Sequence, residues 1–173
     1  MDEQVAAREQ LEQRATYDDL TGVMKRDPAL DRLQHAIESR RAGEGDVAVL
    51  FVDVDGFKAV NDTQGHLAGD AHLQAIAERM ERTVRDTDLV ARMGGDEFLI
   101  VLDGVHRLDE ATAIADKLRG ACAAPTETSA GAVAATLSIG VALREPDETL
   151  GDLIARADQA MYRAKQAGGV TKS

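Results

Sequence analysis

Residues Leu89–Leu102, LVARMGGDEFLIVL, gather side chains that can do chemistry. Two apolar runs, Leu89–Met93 and Phe98–Leu102, flank Gly94-Gly95-Asp96-Glu97. A glycine pair between such runs predicts a tight β-hairpin, because glycine reaches the positive φ values these turns need. The glycines also leave the backbone bare. A bulky anionic ligand can approach it there, and two adjacent carboxylates can hold a cation against that ligand. An ordinary solvated hairpin tip would carry the same glycines, and the stretch alone does not separate the two readings. A second acidic cluster, Asp53-Val54-Asp55, ends the apolar run Val47–Val52. Alternation along a strand sends Asp53 and Asp55 to one side and Val54 to the other. Carboxylates at the end of a buried strand are costly unless a cation or hydrogen bonds compensate them. A calcium EF-hand loop counted from Asp53 needs glycine sixth and Glu twelfth; those positions hold Lys58 and Gln64, so that loop is excluded.

The elements that must position these groups follow from hydrophobic periodicity. Val47–Val52 reads as a central strand covered on both faces. Residues 1–16 are rich in helix formers, with only a sparse apolar stripe at Val5, Leu11 and Ala15. They read either as a frayed terminal helix or as the end of a connector, such as a coiled-coil stalk. Tyr17–Gly22 is a turn. Asp27 as N-cap and Pro28 at the first position open a helix whose buried face is Leu30, Leu33 and Ile37. Phe57–Asp62 suggests a helical turn, and Leu73, Ile76, Ala77, Met80 and Val84 space a helix over 70–84. Asp70 falls near its start, where simple capping competes with any other role. Ala111, Ile114, Ala115 and Leu118 mark a further helix, and 120–131 a loop. From Val133 to Leu143 apolar residues alternate with Ala134, Thr136, Ser138 and Gly140, which predicts one strand with a small-residue face. Leu150 to Ala164 forms the last amphipathic helix. Lys165, one turn after Met161, borders its buried face and could reach over the sheet end; a solvated helix-end lysine is the ordinary alternative. The tail GGVTKS is expected to be flexible.

Composition limits the functions open to the chain. At 173 residues, 44% hydrophobic and 29% charged, it fits one globular domain with a short extension. The net charge of −11 argues against a nucleic acid polymer as partner, which needs a basic field. An anionic ligand would need metal ions and a few placed Lys or Arg to overcome that charge. The single cysteine, Cys122, excludes an internal disulfide and fits a reducing compartment. No stretch is long and apolar enough to span a bilayer, so no direct membrane contact is expected. A cytoplasmic location follows as the expectation, with a membrane anchor elsewhere in a longer parent left open.

Taken jointly, six segments resemble the GGDEF family, the catalytic domain of diguanylate cyclases. They are DDLTGVMKR (18–26), FVDVDGFKAVNDTQGHLAGD (51–70), RDTD (85–88), ARMGGDEF (91–98), LSIGVA (137–142) and ADQAMYRAK (157–165), in the family's order. The resemblance implies an α/β fold, α+β-like, with a central mixed, largely antiparallel sheet flanked by helices, similar to nucleotidyl cyclase and polymerase palm domains. It implies a division into a connector helix (1–16), a GGDEF catalytic domain (17–167) and a tail (168–173). It also implies a reaction in which two GTP condense to cyclic di-GMP and release two pyrophosphates. Each domain would hold one GTP, the two meeting as a homodimer, with an upstream sensory domain as a possible further partner.

Family match assigns roles that phosphoryl-transfer chemistry makes sensible. Asp53 and Asp96, with the Val54 backbone carbonyl, would ligate Mg²⁺ or Mn²⁺, two ions per active site; carboxylates without Cys or clustered His favour these ions. Glu97 would activate the 3′-hydroxyl or ligate metal. Gly94 and Gly95 would let phosphates approach, and Lys58 and Lys165 would contact them. Asn61 and Asp70 match guanine-contacting positions, with Phe57 packing beside the GTP-binding site. Arg85 and Asp88 match an RxxD inhibitory site for the product. Three positions depart from the pattern. Gly169 stands where the family commonly carries arginine, with Lys172 as a possible substitute; Lys25 replaces an asparagine; Met93 precedes the glycines. The missing arginine motivates an alternative reading: a catalytically weak domain acting as a cyclic di-GMP receptor or signalling module.

Overall fold

A computed structural model describes residues 2–173. Helix α1 spans Glu3–Thr16 with Asp2 as its N-cap. It buries none of its residues, and Val5 and Leu11 are exposed, as the sparse apolar stripe requires. Met1, the first residue of the expected connector, lies outside the described residues. Strand β1 (Met24–Lys25) runs directly into α2 (Arg26–Glu38). The helix therefore begins before Asp27, and no side chain caps it. Lys25 is held in extended backbone by pairing with Arg92, which fixes the helix start earlier than its capping signal. Pro28 still falls in the first turn, where its missing N–H costs nothing.

The remaining elements are β2 (Asp46–Val54), α3 (Phe57–Gln64), α4 (His66–Thr83), β3 (Leu89–Gly94), β4 (Glu97–Val105) and α5 (Leu108–Cys122), followed by β5 (Thr126–Thr128), β6 (Gly131–Val133), β7 (Leu137–Leu143), α6 (Leu150–Ala167) and β8 (Val170–Lys172). Six strands form one sheet in the order β1-β3-β4-β2-β7-β8. The β3–β4, β4–β2 and β2–β7 pairs are antiparallel, and the two edge pairs are parallel. Strands β5 and β6 make a separate hairpin.

Alternation divides β2 between two cores. Ala48, Leu50, Val52 and Val54 join residues of α4 and α5, while Val47, Val49 and Phe51 join residues of α2 and α6. Asp53 has the parity of Val49 and Phe51, so it faces the α6 side. The small-residue face of β7 also meets α6. A Cβ on Gly140 would lie 2.0 Å from the Ala157 carbonyl oxygen and 2.2 Å from the Met161 nitrogen, so only glycine admits the helix this close.

Three expectations from periodicity change. The strand foreseen over 133–143 breaks after β6, because Thr136 turns to bond Asp55 through both backbone and side chain. The helix foreseen from residue 70 begins at His66, which places Asp70 in its second turn. The tail expected to be flexible contributes β8, whose Val170–Lys172 pair with Ile139–Val141. Among the described residues no helix is long and apolar enough to cross a membrane.

Candidate functional site

The end of β2 gathers the acidic groups. Asp53 pairs in register with Glu97 of β4 on one side and Ser138 of β7 on the other. The Val54 N–H donates to the Asp96 carbonyl at 3.1 Å, which ties the β3–β4 turn to β2. The two carboxylates of the Asp-Val-Asp run then part company. Asp55 accepts from Thr136 Oγ1 and Ser138 Oγ, each at 2.6 Å, and so is satisfied by β7. Asp53 is buried, and its Oδ1 has no partner among the described residues. Its Oδ2 forms an ion pair with Lys165 Nζ, reached from the last turn of α6. Burial first, then Asp96, pushes the Asp53 carboxyl up to about 6 despite the lysine. The same pair holds Lys165 above its ordinary value. Burial, with Asp158 and Asp96 adding like charge, raises Glu97 as well.

This donor set suits a hard cation. Lys165 already sits as a positive charge on Asp53, and the orphaned Oδ1 is an acceptor waiting for another. Among the described residues no three His, Cys, Asp or Glu side chains converge as a metal cage. Mg²⁺ does not need one, since it commonly takes one or two carboxylates and fills its remaining positions with waters and phosphate oxygens. At this end of the sheet, Asp53, Asp96 and the Val54 carbonyl are the groups that could hold it. At the turn, Gly95 has φ +32°, and a Cβ on Gly94 or Gly95 would meet nothing within 4 Å, so the bare backbone faces open space.

Helices α3 and α4 supply a second acceptor group. A Cβ on Gly69 would lie 1.9 Å from Asn61 Oδ1 and 3.3 Å from Phe57 Cζ, so the α4 backbone presses directly on the Asn61 amide and the Phe57 ring. Asn61 Oδ1 is buried without a partner. Asp70 follows Gly69 on the same helix. The α4 N-cap position is Gly65 with no side-chain cap bond, so capping does not account for Asp70. An orphaned carbonyl oxygen is an acceptor for an N–H donor of a ligand. Lys58 stands exposed in the first turn of α3, and Phe57 is half-buried against the core.

Arg85 and Asp88 lie at the other end of β3, about 17 Å along the strand from the turn. Arg85 donates from Nε and Nη2 to the two Asp88 oxygens at 3.0 and 2.9 Å, and from Nη2 to the Asp103 carbonyl. Asp88 further accepts from the Arg85 and Asp103 N–H groups, and its side chain is fully covered while that of Arg85 is half exposed.

Sequence reasoning gave no role to three groups placed here by the fold. Arg92 of β3 bridges Asp18 and the Gly95 carbonyl. Asp158 on α6 adds to the field at Glu97. Arg119 at the end of α5 donates to the Leu137 carbonyl, and its Nη1 would lie 3.3 Å from a Cβ at Gly169. Gly169 itself has φ +133°, and its carbonyl accepts from the Ile139 N–H, a conformation an arginine there would strain to adopt. The first two had a signal in the sequence, since Asp18, Arg92 and Asp158 sit inside matching segments, while Arg119 had none.

Comparison with known proteins places these features in a family context. The family model described as "Diguanylate cyclase, GGDEF domain" matches residues 15–171. The bifunctional diguanylate cyclase/cyclic di-GMP phosphodiesterase MucR of Pseudomonas aeruginosa is 42% identical over 163 residues, which are 94% of this chain and 24% of that protein. Diguanylate cyclase DgcP of the same organism is 38% identical, with 90% of this chain and 23% of that protein covered. The chain thus spans about a quarter of the length of these relatives. Among solved structures, the GGDEF domain of TpbB (YfiN) from P. aeruginosa superposes with a TM-score of 0.85 at 38% identity, covering 90% of this chain and 93% of that one. The coiled coil and GGDEF domain of DgcB from Caulobacter crescentus, solved in complex with c-di-GMP, gives 0.90 at 28% identity, covering 98% and 92%.

Proposed function

The chain belongs to the GGDEF domain family, and from that premise we propose that it is a diguanylate cyclase, condensing two GTP into cyclic di-GMP with release of two pyrophosphates. The observation that carries this reading is the pair of orphaned buried acceptors, Asp53 Oδ1 and Asn61 Oδ1, each on a family motif and each suited to a different part of one GTP. Asp53 answers a cation at the triphosphate. Asn61, with Asp70, answers the N1–H and N2–H₂ edge of guanine, a donor pair that adenine lacks.

In each of the two bond-forming steps a 3′-hydroxyl oxygen attacks an α-phosphorus, the bond to pyrophosphate breaks, and the hydroxyl proton leaves to a base. Bound Mg²⁺ or Mn²⁺, two per site, would neutralise the phosphates and acidify the hydroxyl. Asp53, Asp96 and the Val54 carbonyl would hold the ions, and Glu97 would serve as ligand or proton acceptor. Lys165, paired with Asp53, and Lys58 on α3 would supply positive charge to the phosphates. The bare backbone of Gly94 and Gly95 admits the triphosphate, and Phe57 packs beside it. Two domains must meet for the attack, so the working unit is a homodimer, which an upstream module joined through α1 would control.

Product inhibition through the RxxD segment belongs to the same reading. Asp88 spends its oxygens on Arg85 and Asp103, so it orients the arginine, and the exposed guanidinium face of Arg85 meets the guanine or phosphate of cyclic di-GMP. Incubation with GTP and Mg²⁺ across a range of protein concentrations tests the whole reading. Cyclic di-GMP should appear at a rate rising faster than linearly with protein, and Asp96→Ala should abolish it. Binding of cyclic di-GMP without any turnover by dimeric, product-stripped protein would instead favour the receptor role that Gly169 in place of arginine raises.

A further inference from the structure

The β5–β6 hairpin stands outside the main sheet. Thr126 and Val133, which pair in register, are its buried residues, while Glu127, Gly131 and Ala132 are exposed. So small a buried surface leaves the hairpin dependent on a few polar contacts with α4. Arg79 of that helix donates to the Ala124 carbonyl at 2.7 Å, just before the hairpin begins. Earlier on the same helix, His72 Nδ1 and Thr126 Oγ1 share a hydrogen bond of 3.0 Å across 54 residues of sequence.

His72 is fully buried, and its Nε2 has no partner among the described residues. A neutral ring leaves one nitrogen unmet. A protonated ring is far worse placed. Both nitrogens are then donors, Thr126 Oγ1 can accept from one, and no acceptor meets the other. The groups around the ring give no relief. Arg79 on α4 adds like charge. Cys122 of α5 lies near the Ile76 carbonyl, and burial pushes its thiol up to about 11, so it stays neutral. Glu127 of β5 is exposed, and among the described residues no carboxylate of α3, α5, β3 or β5 acts on the ring. Burial first, then Arg79, holds His72 below its ordinary 6.5.

We propose that His72 is a proton-sensitive latch, which in its neutral form docks the β5–β6 hairpin on α4 through Thr126 and on protonation releases it. An undocked hairpin leaves the ring in water, where it takes a proton near 6.5; the docked ring resists that proton. Docking is therefore strongest above that pH. It weakens as pH falls below it, by about tenfold in the docking equilibrium for each unit until the docked ring itself titrates. Arg79 stays charged throughout, so its bond to the Ala124 carbonyl does not share the change.

The test uses the whole chain as wild type, His72→Asn and Thr126→Val. Hydrogen exchange, expressed as protection relative to the free-peptide rate at each pH, reads the docking. From pH 7.5 to 5.5 the amides of Thr126–Thr128 and Gly131–Val133 should lose protection by about tenfold in wild type, while the β2 amides keep theirs. His72→Asn sets an amide where Nδ1 stands and takes no proton, so its hairpin protection should be the same at both pH values. Thr126→Val removes the hydroxyl and keeps the shape, and should lower hairpin protection at pH 7.5 by about tenfold. The His72 ring signals in wild type should titrate below 6.5. Hairpin protection independent of pH in wild type, an equal fall in His72→Asn or in β2, wild-type protection in Thr126→Val, or a ring that titrates at or above 6.5 overturns the proposal.

Discussion

Replacing Gly69 with alanine adds one methyl group at the closest contact in the proposed guanine pocket. That methyl would stand 1.9 Å from Asn61 Oδ1, 3.0 Å from Asn61 Cγ and 3.3 Å from Phe57 Cζ. Ordinary contact is about 1.5 Å longer than the first of these, so the Asn61 amide must leave its place. Moving that side chain off its rotamer costs about 0.5–1.5 kcal/mol. Alanine in place of glycine inside a helix returns about 1 kcal/mol, and α4 runs from His66 to Thr83 around this position. Stability should therefore stay within about 1 kcal/mol of wild type, a shift in Tm below about 4 °C. Binding should suffer far more. The displaced amide no longer presents its carbonyl oxygen to guanine, and losing one such hydrogen bond costs about 1–1.5 kcal/mol, roughly tenfold in GTP affinity. Calorimetry with GTP on Gly69→Ala, Asn61→Ala and the double variant is the assay. Because both changes remove the same contact, their effects should overlap, and the double variant should bind no worse than the weaker single one by more than about twofold. Wild-type affinity in Gly69→Ala, or full additivity of the two losses, would refute the argument.

Other outcomes follow from the same geometry. Gly140→Ala presses a methyl on the α6 backbone, which cannot move aside as a side chain can. It should cost about 3 kcal/mol or more and lower Tm by roughly 6–12 °C, read by thermal unfolding. The Asp53 carboxyl is raised from 3.8 to about 6, so the metal-free folded state holds its proton longer than the unfolded chain does. Its contribution should therefore weaken stability as pH rises through that window, and the difference between wild type and Asp53→Asn across it should show this slope. Because cation binding needs the ionised carboxylate, apparent Mg²⁺ affinity should climb over the same range, and it should be flat and low in Asp53→Asn. Arg85→Ala should weaken cyclic di-GMP binding by about 10- to 100-fold, the range for a charge-assisted contact, while GTP affinity at the distant turn is retained. Equal product affinity in that variant would remove Arg85 from the inhibitory site.

Local pattern was enough for much of this molecule. The continuous apolar run of β2, the glycine pair between β3 and β4, and the helical spacing of α4, α5 and α6 each identify an element, because burial periodicity is a short-range property of the chain. Alternation put Asp53 on the α6 side of β2, although Asp55, expected on the same side, lies beyond the end of the strand. The motif order Asp53, Asn61, Asp70, Gly94–Glu97, Lys165 marked the candidate site and the family together. What the sequence did not hold were the facts that depend on which distant groups meet. It could not say that Thr136 and Ser138 of β7 would satisfy Asp55 and leave Asp53 for Lys165. Nor could it say that Gly69 would press on Asn61, that β8 would pair with β7, or that Arg92 would join Asp18 to the Gly95 carbonyl. Each of these is a contact between elements, whose partners are selected by sheet order and helix packing. A residue's type announces what it can bond, but only the packed fold decides which bonds are taken inside the protein and which acceptors, such as Asp53 Oδ1 and Asn61 Oδ1, are left for a ligand.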